Sequence, residues 1–142
     1  MADANLHHVH LFCRDIETTL VWWTEMLDGK VAYDGIVAGQ RNVFMTVGDG
    51  RLHLYNQPPR GDRGGAVHHV GIRTDDLHGL VERMKARGQE FRSEIREFGA
   101  WRYIMVAAPD DLLLELFEWD ASDMEPALNA YFGTAPYTKG HG

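Results

Sequence analysis

One cysteine in 142 residues excludes an intramolecular disulfide framework and any all-cysteine metal site. No apolar run approaches the roughly 20 residues of a membrane span. The opening MADANLHH has neither the basic nor the apolar segment of a secretory signal, so a cytoplasmic protein without a membrane partner is expected. Positive charge is in deficit, 14 basic against 21 acidic residues for a net −7 with histidine neutral. That argues against non-specific binding to nucleic acid, which needs a positive field. With 44% hydrophobic and 25% charged residues the composition is that of an ordinary globular domain spanning 1–142, not of a disordered chain, a collagen or a coiled coil.

Histidine is what the chain has in excess. Of eight, six (His7, His8, His10, His53, His68 and His69) lie in three short apolar stretches. Two of those stretches are copies of each other. Leu6-His7-His8-Val9-His10-Leu11 recurs as Val67-His68-His69-Val70-Gly71-Ile72, and Asp15-Ile16 as Asp76-Leu77, at an offset of 61. Leu52-His53-Leu54-Tyr55 recurs as Leu114-Glu115-Leu116-Phe117 at an offset of 62. The breakers and charges of 58–65 read as a linker between two modules, about 6–57 and 66–119.

Each module reads as βαβββ, which makes the chain α+β with two tandem modules. A strand (about 6–13 or 67–74) precedes a helix opened by an aspartate N-cap, Asp15 or Asp75. The helices span 16–27, with Gly29 as the C-cap signal, and 77–87, ended by Gly88. Strands follow at about 30–37, 41–47 and 51–57, then at 89–96, 101–107 and 112–118. A last helix runs over about 123–132, from Ser122 as its cap. The Gly48-Asp49-Gly50 run is a hairpin turn and not a phosphate loop, because no helix follows it.

Strand side chains alternate faces, so His8, His10 and Phe12 point one way, with His7 on the other face. His69 and Gly71 likewise stand opposite His68. Glu115 shares a face with Leu113 and Phe117, and a carboxylate in such an apolar strand needs a cation or a donor beside it. The repeat makes His8 equivalent to His69, and His53 to Glu115. Two equivalent strands from each module, each giving one imidazole or carboxylate, would assemble four ligands in a cup. That donor set suits Fe, Mn, Ni, Co or Zn.

The paired His-His-Val openings (7–9 and 68–70) and the closing Pro109-Asp110…Leu113-Leu114-Glu115-Leu116-Phe117-Glu118 resemble the vicinal oxygen chelate superfamily, over about residues 6–119. That superfamily includes glyoxalase I, bleomycin and fosfomycin resistance proteins, methylmalonyl-CoA epimerase and extradiol dioxygenases. The resemblance implies a curved mixed-sheet cup around one divalent metal, with His8, His69 and Glu115 as ligands, and a homodimer. The family's frequent fourth ligand, a Glu or Gln, falls on His53, and a histidine there departs from the glyoxalase pattern. His53 is read as a ligand, or else as a substrate-facing residue.

Around those ligands, His10 lies about 7 Å from His8 along the strand, placed for proton transfer or substrate contact. Trp101 and Tyr103 share a face of the seventh strand and Tyr55 shares its face with His53; the three line the substrate wall or form core. Arg41 or Arg102 would clamp a substrate carboxylate, unless solvated or paired. Cys13 is a buried small residue, and His7 and His68 are structural. The first functional expectation is a metal-dependent lyase or isomerase of glyoxalase or epimerase type. It acts on a small chelating oxygen substrate through a metal-stabilised enolate, with Glu115 and His10 in proton transfer. The alternatives are an Fe(II) extradiol-type dioxygenase and a non-catalytic antibiotic-binding resistance protein.

Overall fold

Asp15 begins the first helix by accepting the backbone N–H groups of Glu17 and Thr18 on its carboxylate, at 3.1 and 3.4 Å. The helix it caps, α1 (Ile16–Leu27), buries Ile16, Thr19, Trp23, Met26 and Leu27 at helical spacing. Its end differs from the expected glycine cap. Asp28, not Gly29, takes the left-handed conformation (φ 56°), and both residues' N–H groups turn back to the Trp23 carbonyl. Gly29 is required for a different reason: a Cβ there would lie 2.8 Å from the Met45 Cε and 3.0 Å from the Trp23 carbonyl oxygen.

The structure, a computed structural model, describes residues 4, 6–61, 67–124 and 126–133; residues 62–66 of the expected linker lie outside that set. The chain divides into two compact units, residues 1–68 with 107–112 and residues 69–106 with 113–142. In the first, β1 (Val9–Phe12), β2 (Lys30–Val37), β3 (Gln40–Val47) and β4 (Gly50–Tyr55) form a sheet of order β1-β4-β3-β2, with β1 parallel to β4 and the other pairs antiparallel. The second repeats that order as β5-β8-β7-β6, from β5 (Val70–Arg73), β6 (Arg96–Phe98), β7 (Trp101–Ala108) and β8 (Leu112–Trp119), with α2 (Leu77–Ala86) after β5. No helix among the described residues is long and apolar enough to cross a membrane.

The repeat holds at the level of hydrogen bonds. His10 pairs with His53 in β1–β4, and Gly71 with Glu115 in β5–β8, at the two offsets read from the sequence. Beyond each ladder the same bond recurs, Cys13 N–H to the Tyr55 carbonyl and Thr74 N–H to the Phe117 carbonyl, both 2.9 Å. One face of each sheet is core: Val43, Met45, Leu52 and Leu54 in the first unit, and Ile104, Val106, Leu114 and Leu116 with Leu77, Leu80, Val81 and Met84 of α2 in the second. Cys13 joins the first core, where burial pushes its thiol pKa up.

Three expected boundaries are corrected. Asp76, not Asp75, caps α2, its carboxylate accepting the Gly79 N–H at 3.0 Å; it directly precedes the helix, as Asp15 does in the first copy. The strand expected over 89–96 shrinks to Arg96–Phe98. Gly88 (φ 95°) and Gln89 return their N–H groups to the Lys85 and Met84 carbonyls, a Schellman ending that draws this stretch back onto the helix and out of any ladder. At the C-terminal end Ser122 caps no long helix. It lies in a 3-10 turn, Ala121–Asp123, capped by Asp120, and the last helix, α3 (Pro126–Gly133), starts later at a proline suited to a first helical position.

Candidate functional site

On the sheet face opposite the first core, the strands bring imidazoles together. His53 stands in β4 with its ring stacked on that of His8, centroids 3.6 Å apart and planes 11° from parallel. Its other neighbour is Phe44 of β3, stacked at 4.0 Å, directly across the ladder. Phe44 is a contact the sequence reading missed, although the tight turn at Gly48-Asp49 fixes the register that puts 44 opposite 53. His10 is edge-on to His53 at 6.4 Å and tilted against Tyr55 at 5.5 Å, so Tyr55 shares the imidazole face as expected.

His7 departs from expectation. Residues 6–8 precede β1 and make no ladder, so strand alternation does not separate neighbours there. His7 Nδ1 lies 3.1 Å from His8 Nδ1, and ligating atoms of His7, His8 and His53 all fall within 4.8 Å of one another. His7 is therefore part of the imidazole cluster.

Burial first, and then the electrostatic influence of His8, His10 and His7, hold the His53 pKa below the ordinary histidine value of 6.5. The imidazole is thus neutral, with a lone pair to offer, at physiological pH. A base whose folded pKa is depressed contributes stability above its unfolded pKa and loses it as pH falls. In an NMR titration of the metal-free protein the His53 midpoint is expected below 6.5, rising towards it in His8→Ala; a wild-type midpoint at or above 6.5 would contradict this.

In the second unit the equivalent face holds the His69–Glu115 pair, Nε2 to Oε2 3.4 Å. Both side chains are about one third exposed, 35% and 30%, so neither is sealed from a ligand. Beyond Glu115 the face is aromatic. Trp101 of β7 meets Phe117 at 6.1 Å and Phe132 of α3 at 4.5 Å, while Trp119 lies 6.1 Å from Phe117 with the Arg73 guanidinium 5.7 Å above its ring. Tyr103 follows Trp101 on the same side of β7, half-buried and opposite Arg96 of β6.

The arginines stand elsewhere. Arg41 lies on the helix side of β3 with Val43 and Met45. Its guanidinium binds Asp34 through Nε at 2.9 Å and Nη2 at 2.7 Å, and Glu17 of α1 through Nη1. This pairing holds the Asp34 carboxyl below the usual range and raises the arginine's own pKa. Arg102, 61 residues on, does the equivalent work in the second unit. It donates to Glu118 at 2.9 Å, whose other oxygen accepts the N–H of Leu77, the first residue of α2. Both arginines tie a helix N-terminus to its sheet, so the substrate clamp expected of Arg41 is not what its guanidinium makes.

Both faces offer a donor set that fits a divalent metal: imidazoles in one unit, an imidazole with a carboxylate in the other. Solved structures share the fold. The genomically encoded fosfomycin resistance protein FosX of Listeria monocytogenes has a TM-score of 0.71 at 17% identity, over 86% of this chain and 98% of that one. A variant of it, solved with Mn(II) and 1S,2S-dihydroxypropylphosphonic acid, has a TM-score of 0.71 at 18% identity, over 86% and 97%. A glyoxylase/bleomycin resistance protein/dioxygenase domain from Frankia sp. EAN1pec has a TM-score of 0.71 at 22% identity, over 84% and 100%. No curated protein matches the chain. The sequence model of one family covers residues 5–116, and the chain belongs to that family, the Glyoxalase/Bleomycin resistance protein/Dioxygenase superfamily.

Proposed function

We propose that this protein is a divalent-metal-dependent lyase or isomerase acting on a small substrate that chelates through two oxygens. His8, His53, His69 and Glu115 are the metal ligands. The observation that carries the reading is the 3.4 Å approach of His69 Nε2 to Glu115 Oε2, in a unit whose repeat partner holds the equivalent His8–His53 pair. That a structural neighbour was solved with Mn(II) and a vicinal diol supports the same substrate class.

When bound, the metal acts as a Lewis acid on the chelated oxygens and makes the adjacent C–H more acidic. The chain supplies the rest. In this reading Glu115 Oε and His10, whose ring stands between Phe12 and Tyr55, take and return the proton. Phe44, stacked on His53, and Phe12, edge-on to His10, restrict the swing of both imidazoles and lower the cost of holding them in place. The aromatic side of the second sheet, Trp101 with Tyr103, supplies apolar surface for the substrate's carbon skeleton.

The test is proton exchange. The protein loaded with Zn(II), Ni(II), Co(II) or Mn(II) is incubated in D2O with hydroxyacetone, and the α-C–H signal is followed by NMR. Enzyme-dependent deuterium uptake, reduced about 100-fold or more in His10→Ala or Glu115→Gln, is expected. No exchange, with oxygen consumption on catechol by the Fe(II)-loaded protein, would replace this reading with a ring-cleaving dioxygenase.

A further inference from the structure

We infer that His7 is a metal ligand, which makes the donor set of the first unit a three-imidazole one. The inference deepens the reading above, because it shares His8 and His53 with it. A metal–imidazole bond of roughly 2.0–2.1 Å places neighbouring donor atoms about 3.0–3.4 Å apart around one ion. His7 Nδ1 and His8 Nδ1 are already 3.1 Å apart. As free imidazoles, one must donate and the other accept across that distance. With both rings as Nε2–H tautomers, both Nδ1 lone pairs face one point, and no proton is lost from either ring.

The third donor closes by side-chain rotation alone. All three ligating atoms lie within 4.8 Å, so a tightening of roughly 1.5 Å brings the set to a coordination edge. His7 and His8 are exposed and precede the ladder, so their side chains can turn without breaking strand hydrogen bonds. His53 is the fixed member, held by Phe44 across the sheet. A nitrogen-rich set favours Zn, Co or Ni over the hard, oxygen-preferring Mn more strongly than a two-histidine, one-carboxylate set does.

The test is Co(II) titration of the tag-free, full-length protein, read by visible absorption and calorimetry, in wild type, His7→Ala and the double variant His69→Ala/Glu115→Gln. Loss of about tenfold or more in Co(II) affinity in His7→Ala, a changed ligand-field spectrum, and a smaller loss for Mn(II) are expected, with an unchanged circular dichroism spectrum. His7→Ala binding Co(II) within twofold of wild type, with the same spectrum, would overturn the inference. If that happens while the double variant loses the metal, the ligand set proposed above stands without His7. If the double variant binds as wild type while His7→Ala does not, the three-imidazole site stands and that ligand set fails. Wild type that takes up no Co(II) would overturn both.

Discussion

Replacing Glu115 by glutamine is expected to lower divalent-metal affinity by more than about 100-fold, beyond the 10–100-fold that residues merely supporting a ligand cost. That factor corresponds to about 2.7 kcal/mol of binding free energy. The substitution preserves shape between Leu113 and Phe117, which share its face, and removes only the charge. The competing role for Glu115 is as ion-pair partner of a protonated His69, 3.4 Å away. The two roles separate cleanly. As a ligand, Glu115→Gln leaves the thermal midpoint of the metal-free protein unchanged, or raises it by relieving a half-buried carboxylate. As an ion-pair partner it would lower that midpoint and leave metal affinity as it was. Equilibrium dialysis and a thermal melt on the same sample decide.

The second large effect is on stability. Trp23 is 1% exposed, the largest side chain of the first core, packed edge-on to Trp22 with ring centroids 5.3 Å apart. Its carbonyl also receives the N–H groups of Asp28 and Gly29 that end α1. Trp23→Ala deletes the ring and leaves a cavity in the first core, at an expected cost of about 3–5 kcal/mol. Against a total stability of about 5–15 kcal/mol for a domain of this kind, that removes a large share. Urea unfolding with an unchanged slope and a much lower midpoint is the expected result. A loss below about 1 kcal/mol would mean that α1 does not anchor this core.

The tandem order was legible because its signals are local and doubled. Asp15 and Asp76 each stand one residue before an apolar helix, and the alternation around His53 and Glu115 assigns faces without tertiary information. What escaped needed geometry that a pattern does not carry. Gly29 looks like a left-handed cap, yet Asp28 takes that conformation and Gly29 answers a close approach by Met45. The strand expected from Gln89 loses that residue to the Schellman ending of α2, whose hydrogen bonds return to Lys85 and Met84. His7 was assigned to the wrong face by extending strand alternation past the first ladder bond at Val9. For Arg41 and Arg102 a substrate clamp and a structural ion pair could not be told apart. Their carboxylate partners include Glu17, 24 residues away, and Glu118, 16 away, and no local pattern links them.

The same distinction separates what the two faces offer. A stacked imidazole pair and an imidazole–carboxylate pair recur at the same register positions, His53 across from His10 and Glu115 across from Gly71. Gly71 stands where the first copy has His10, and a Cβ there would meet the Phe117 ring at 3.3 Å. The second unit therefore has a packed aromatic contact where the first has a titratable one. This asymmetry is why the acid–base role is assigned to His10.

Metal analysis of protein purified without chelators or a histidine tag tests the central claim most directly, on wild type and His53→Ala in parallel. One equivalent of Zn, Ni or Co per chain in wild type, falling sharply in His53→Ala, is the result this account requires. Protein free of metal that takes up none on soaking would contradict it, and so would a full equivalent retained by His53→Ala.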